Sequence, residues 1–182
     1  MGRSQPKESV EGVRYEVGSA EEVAGRVIPG TDAVVAALSP RGDTAGRLVE
    51  VYAELARVCA EAGARYLQVG GFSSLRPAAG EPRFVEGELA EQYRAEAMEG
   101  EATRVMLVEQ APAELDRVFV SPAGTYGAWV PGEHTGAHRV SGEVALFDAE
   151  GGSNISGADF ADAVVDEIER PAHHREHIGV AY

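Results

Sequence analysis

Residues 32–38 read Asp-Ala-Val-Val-Ala-Ala-Leu, apolar at every position after the first, and Ser39-Pro40-Arg41-Gly42 breaks the run at once. A run this short and continuous predicts a strand of a parallel sheet, covered on both faces. The clearest helical pattern of the chain follows over 44–62. Its apolar positions Leu48, Val51, Tyr52, Leu55, Val58 and Cys59 recur at spacings of three and four and form one stripe. Gly63 stands where a left-handed helix cap belongs. Residues 65–70 then give another strand. Strand, helix and strand in this order make a parallel crossover unit and place the chain in the α/β class.

The flanking segments extend the alternation. Residues 1–12 are polar and read as an arm. Residues 13–17 alternate apolar and polar like a half-buried strand. Ser19 with Glu22 predicts a capping box for a helix through about Val27, ended by Pro29-Gly30. After the 65–70 strand come the loop 70–75 and a Pro/Gly-rich surface segment, 77–87. The next helical stretch, 88–109, is acidic on one side, with Gly100 placed to bend it. Residues 117–121 are a further strand, halted by Pro122. Residues 126–155 form an irregular, Gly-rich segment, with a short strand at 144–147. Ser156 opens a helix that stops before Pro171, and 177–182 read as a last edge strand.

Composition bounds the function. The 182 residues suit one domain, and 44% hydrophobic residues suffice for a core. A formal charge of -14 makes nucleic acid or an anionic membrane surface a poor partner. The single Cys59 cannot form an intrachain disulfide and reads as a core residue. No apolar run reaches the roughly 18 residues of a membrane span, and the polar start lacks a signal-peptide core, so the expected location is cytoplasmic.

Four stretches together resemble the atypical short-chain dehydrogenase/reductase proteins, the NAD(P)H-binding Rossmann-like group with flavin-reductase-like and epimerase-like members. Residues 30–38 are similar to that family's fourth strand, and Val69-Gly70-Gly71-Phe72-Ser73-Ser74-Leu75 to its strand-five loop. Phe119-Val120-Ser121-Pro122-Ala123 resembles its strand-six loop, and Ile155-Ser156 with Asp159-Phe160-Ala161 its late helix. The resemblance implies a three-layer α/β/α domain over 1–182, with cofactor across the carboxyl ends of the strands. It puts Ala37, Leu38 and Ser39 near the adenine-side ribose. Gly70, Gly71, Ser73 and Ser74 would lie near nicotinamide or substrate, and Ser121, Pro122 and Ala123 near the nicotinamide amide. Arg3, in a segment similar to the one after the family's second strand, would favour NADP over NAD. Small residues and free backbone groups at strand ends let a flat ring approach closely. Each stretch taken alone also reads as an ordinary turn.

Two departures from the family matter. No G-x-G-x-x-G precedes residue 13, so the expectation is a Rossmann-like sheet truncated at its N-terminus, with weak or absent nucleotide binding. The strand at 33–38 would then be an exposed apolar edge that invites pairing with another chain, a second copy included, or collapse of the 13–17 strand onto it. The family's Tyr–Lys acid pair is also broken: Tyr93 is followed by Arg94, and position 97 is Ala. Tyr93 is a candidate acid, weighed against packing in the core, which its helical position favours; Ser73 and Ser74 complete the candidate catalytic set.

The histidines are weighed for metal. His134 and His138 have a helical zinc spacing, but Gly132 and Gly136 argue against a helix there, while His173, His174 and His177 sit in a Pro-led turn without a Cys. Both sets read as solvated, and no metal is assigned. The expectation is an NADP (or NAD) cofactor whose reduced form, NADPH or NADH, transfers a hydride to a small organic or flavin acceptor. The alternative is a non-catalytic remnant or regulatory module that associates through its sheet edge.

Overall fold

The computed structural model describes residues 5, 6 and 8–182. Helix α1 (Ala20–Val27) starts at the expected capping box: Glu22 N–H donates to Ser19 Oγ and Ser19 N–H to the Glu22 carboxylate. Strand β1 (Ala33–Ala36) leads through a single helical turn to α2 (Leu48–Ala62), whose stripe Leu48, Val51, Tyr52, Leu55, Val58 and Cys59 is buried throughout. Gly63 closes α2 at φ 67°, a left-handed conformation that favours glycine. Strand β2 (Arg65–Val69), helix α3 (Glu91–Glu109), strands β3 (Arg117–Pro122) and β4 (Arg139–Ser141), helix α4 (Gly157–Glu169) and strand β5 (Glu176–Ala181) complete the order.

The five strands form one sheet in the order β1-β2-β3-β5-β4. Every neighbouring pair is parallel except β4 with β5. Successive side chains alternate faces. Tyr66 and Phe119 join α1, α2 and the end of α3 in one core, while Leu67, Val118, Val120, Ile178 and Val180 join α4 in the other. This is the expected three-layer α/β/α arrangement with a mostly parallel sheet. Among the described residues, no helix is long and apolar enough to cross a membrane.

Several local expectations are corrected. Residues 13–17 are not one of the strands of the sheet; the period-two pattern is there, but among the described residues it yields a single bridge position, Val17. Strand β1 is covered on one face only: Ala36 is buried, while Val35 is 44% exposed, as befits the outermost strand. The 77–87 segment is not purely surface, because Arg83 and Val85 are buried within it. Residues 144–147 make one bridge, Arg76 with Val144, rather than a strand. Strand β4 lies inside the segment read as irregular, and by pairing with β5 it makes β5 an inner strand instead of an edge.

Candidate active site

The carboxyl ends of β1, β2 and β3 point the same way, and the loops that leave them enclose a cleft of about 730 Å³. From β1 come Ser39 and Arg41. From β2 come Gly70, Gly71, Phe72, Ser73 and Ser74, and from β3 Pro122, Ala123, Gly124 and Thr125, continuing to Tyr126 and Trp129. The first turns of α3 supply the opposite wall with Leu89, Tyr93, Glu96, Ala97 and Gly100. A smaller hollow of about 260 Å³ adjoins it around Gly18, Ser19, Ala37, Leu38 and Arg47, and Ser39 borders both.

The structure therefore gathers Ser39, Gly70, Gly71, Ser73, Ser74, Tyr93, Pro122 and Ala123 around one space, and sets Ala37 and Leu38 beside it. Two residues expected at the site are not among them. Arg3 is outside the described residues. Ser121 is fully buried, and its hydroxyl, turned from the cleft, donates to the Gly71 carbonyl at 2.9 Å. The expectation that Tyr93 packs in the core is also corrected, since it is 59% exposed at the cleft wall.

The floor of the cleft is tightly built. A β-carbon on Gly70 would stand 2.1 Å from the Phe119 ring, so only glycine fits where β2 meets its loop. Phe72 is pinned by a stacked contact with Phe84 at 4.8 Å and an edge contact with Phe147 at 6.4 Å. Ser74 is 1% exposed, and its hydroxyl has no hydrogen-bond partner among the described residues. A buried hydroxyl left this way is costly unless something else satisfies it.

The β1 side is set by Tyr52. Its hydroxyl accepts from Leu38 N–H at 2.9 Å and donates to the Leu38 carbonyl at 3.0 Å. Burial pushes this phenol up to about 12, so it stays neutral and able to do both. Arg41 reaches across the cleft mouth to Glu96 at 2.9 Å. One turn on, the Glu99 carboxylate accepts from Gly46 and Leu48 N–H, each at 3.0 Å. A carboxylate from α3 thus occupies the electropositive start of α2.

The histidines are not uniformly solvated, contrary to expectation. His173 pairs with buried Glu167 at 2.8 Å. His177 is enclosed between Ser121, Arg83 and the Phe119 ring. Burial first, then the nearby Arg83 and Arg104 charges, lower it to about 3. His134, Asp159 and Asp162 bring ligand atoms within 4.8 Å of one another. Asp159, however, is saturated by donors: Thr135 N–H and hydroxyl, Gly136 N–H, and the hydroxyls of Ser156 and Tyr182. Burial raises its pKa, but these bonds outweigh burial and hold the carboxyl well below the usual range. The group fastens the 134–136 loop and Tyr182 to the start of α4.

No family model matches the chain. The Bacillus subtilis protein YwnB is 39% identical over 62 residues, a segment that spans 34% of this chain and 28% of that protein. An epimerase candidate from Bacteroides thetaiotaomicron superposes with a TM-score of 0.82 and 31% identity, over 97% of this chain and 80% of its own. The chain belongs to this Rossmann-like family of epimerase- and flavin-reductase-type proteins. A further member of the family, an NADH-flavin reductase candidate from Streptococcus pneumoniae, has a TM-score of 0.81 and 26% identity, over 98% of this chain and 84% of its own. Within the family's fold the cleft occupies the strand ends where Rossmann-like sheets take ligands.

Proposed function

We propose that the chain is an NAD(P)H-binding oxidoreductase-like protein of the atypical short-chain type, passing a hydride to a small organic or flavin acceptor in the 730 Å³ cleft. The observation that carries this reading is the meeting of the Gly70–Gly71 and Pro122–Ala123 turns in one space, beside a buried serine hydroxyl without a partner among the described residues. Side-chain-free Gly70 and Gly71 let a flat ring lie against backbone, and Ser74 offers it an unmet hydroxyl. These features fit a nicotinamide, which supplies the hydride when bound.

The chain's own residues then orient and shield. Phe72, held by its two ring partners, keeps one side of the space dry. Ser73 and Ser74 present hydrogen-bonding groups to the ring amide or to the acceptor. Tyr93, on the α3 wall, is the group placed to hand a proton to the acceptor from its phenol oxygen. The anion-binding half is poorer. Arg41 is the only cation among the described residues lining the larger cleft, and it is paired with Glu96. Nucleotide affinity is therefore modest, and Arg3 belongs to this proposal as the residue that would favour NADP.

The deciding measurement is a titration with NADPH and NADH, following Trp129 fluorescence at the cleft mouth. Saturation in the micromolar range, tighter for NADPH, is expected. No saturation at millimolar nucleotide rejects the reading. If Tyr93 is the acid, Tyr93→Phe lowers turnover by about 100-fold or more while leaving the nucleotide dissociation constant unchanged; equal turnover removes it from the mechanism.

One observation favours a second reading, a non-catalytic module that pairs with its own copy. Among the described residues, strand β1 has a sheet neighbour on one side, β2, and it exposes Val35. Concentration-dependent sedimentation abolished by Val35→Lys would support it, and a monomer at all concentrations would remove it.

A further inference from the structure

Arg83 comes from the Pro/Gly-rich segment yet is only 6% exposed, and its guanidinium contacts converge on the cleft floor. Its Nη1 donates to the Ser74 carbonyl at 2.5 Å and lies 3.3 Å from Nδ1 of His177. Its Nη2 donates to Glu143, and Nε lies 3.7 Å from Glu101. A guanidinium has donors only, so Nδ1 of His177 must accept. The ring proton is then on Nε2, which is 2.9 Å from Ser121 Oγ. Ser121 receives that N–H and directs its own hydrogen to the Gly71 carbonyl at 2.9 Å. The same carbonyl accepts from Ser74 N–H at 3.2 Å.

One guanidinium therefore fastens both ends of the 71–74 turn, Ser74 directly and Gly71 through two side chains. We infer that Arg83 and His177 are positioning residues, a clamp that fixes the floor of the cleft through Ser121 without touching whatever binds there. The relay works with one tautomer only. A second proton on the ring would fall on Nδ1 and face the Arg83 cation. Burial first, then the Arg83, Arg104 and Arg76 charges, lower the ring's pKa against the opposing pull of Glu143 and keep that proton off. Glu143 anchors the clamp in turn: it also accepts from Arg76 at 2.9 Å, tying the 76–87 segment to the stretch after β4.

The clamp is tested by amide hydrogen exchange on the full chain, with His177→Phe, His177→Gln and Ser121→Ala. Phenylalanine keeps the ring against Phe119 and removes both hydrogen bonds; glutamine restores a donor toward Ser121. The expected result is exchange about tenfold faster at Gly70, Ser74 and Leu75 in His177→Phe, with α2 and α4 unchanged. His177→Gln should return those amides toward wild type. Ser121→Ala should loosen the same amides, and the double variant should add little to either single one. Wild-type exchange at 70–75, or equal acceleration in every element, overturns the inference.

A second arm rests on the proposed function: NADPH should bind about tenfold more weakly to His177→Phe and recover with His177→Gln. Absence of NADPH binding in the wild type would reject that function. The exchange arm would still decide the clamp.

Discussion

The two walls of the cleft are built on opposite principles. The β2–β3 floor is built of mostly small residues, half-buried at Gly70, Gly71 and Ser73 and buried at Ser74, Pro122 and Ala123, and is fastened by hydrogen bonds from Arg83, His177 and Ser121, with the Phe119 ring against Gly70. The α3 wall buries nothing over its first three turns, since Thr103, Met106 and Leu107 are its buried residues. Its first turns are held by the solvent-facing Arg41–Glu96 pair and by Glu99 at the start of α2, and it meets the floor further on, at Glu101 beside Arg83. Packed, dry contacts have two discrete outcomes, intact or broken, whereas surface ion pairs are worth little and yield to salt. The contrast gives this cleft a fixed side that sets geometry and an adjustable side that sets its width.

The largest expected effect breaks the fixed side. Gly70→Ala forces a carbon into the Phe119 ring and should cost about 3 kcal/mol or more in urea unfolding. Adding Phe119→Leu should recover part of that loss, and an unchanged midpoint for Gly70→Ala would deny that the floor is close-packed.

Acid probes the same side more gently. His177 is lowered to about 3 in the folded chain, so the unfolded chain binds the extra proton first. Its contribution is complete above the unfolded value of about 6.5 and is lost as pH falls from there toward 3. Between pH 7 and pH 5 the wild type should lose up to about 2 kcal/mol that His177→Gln does not lose. Parallel stability curves for the two proteins would show that the folded ring takes up its proton as readily as the unfolded one.

The adjustable side should respond least. Glu96→Gln should change global stability by less than about 1 kcal/mol, while speeding exchange over the first turns of α3 and leaving 70–75 untouched. If the floor loosened with it, the two walls would be one mechanical unit.

How much of this is legible in the sequence follows from how local each feature is. The α2 stripe, the Ser19–Glu22 box and the Gly63 cap are readable because each is encoded within a few residues. The loops after β2 and β3 are readable as candidate site walls for the same reason. Residues 13–17 mislead because alternation specifies which face a strand would bury, but not whether a neighbour exists to bond it. Strand β4 hides for the opposite reason: it is short, mostly exposed and carries no apolar pattern, its existence depending on β5. Arg83 is invisible because its side-chain partners Glu143 and His177 stand 60 and 94 residues away, and a charge among prolines and glycines looks like solvent-facing loop. Ser121 sits at a strand end like its cleft-lining neighbours, which is why its position alone points to the cleft. It shares the Phe119 side of β3, and that parity turns its hydroxyl inward.

The Tyr52 hydroxyl has a consequence for how the molecule assembles. By occupying both backbone groups of Leu38, it makes the last residue before the β1 turn dependent on a side chain fourteen positions later. The strand's boundary is written in the helix that follows it. The border between the two hollows cannot take its final shape until α2 has docked, so helix docking and completion of this ligand-facing edge are one step in folding rather than two.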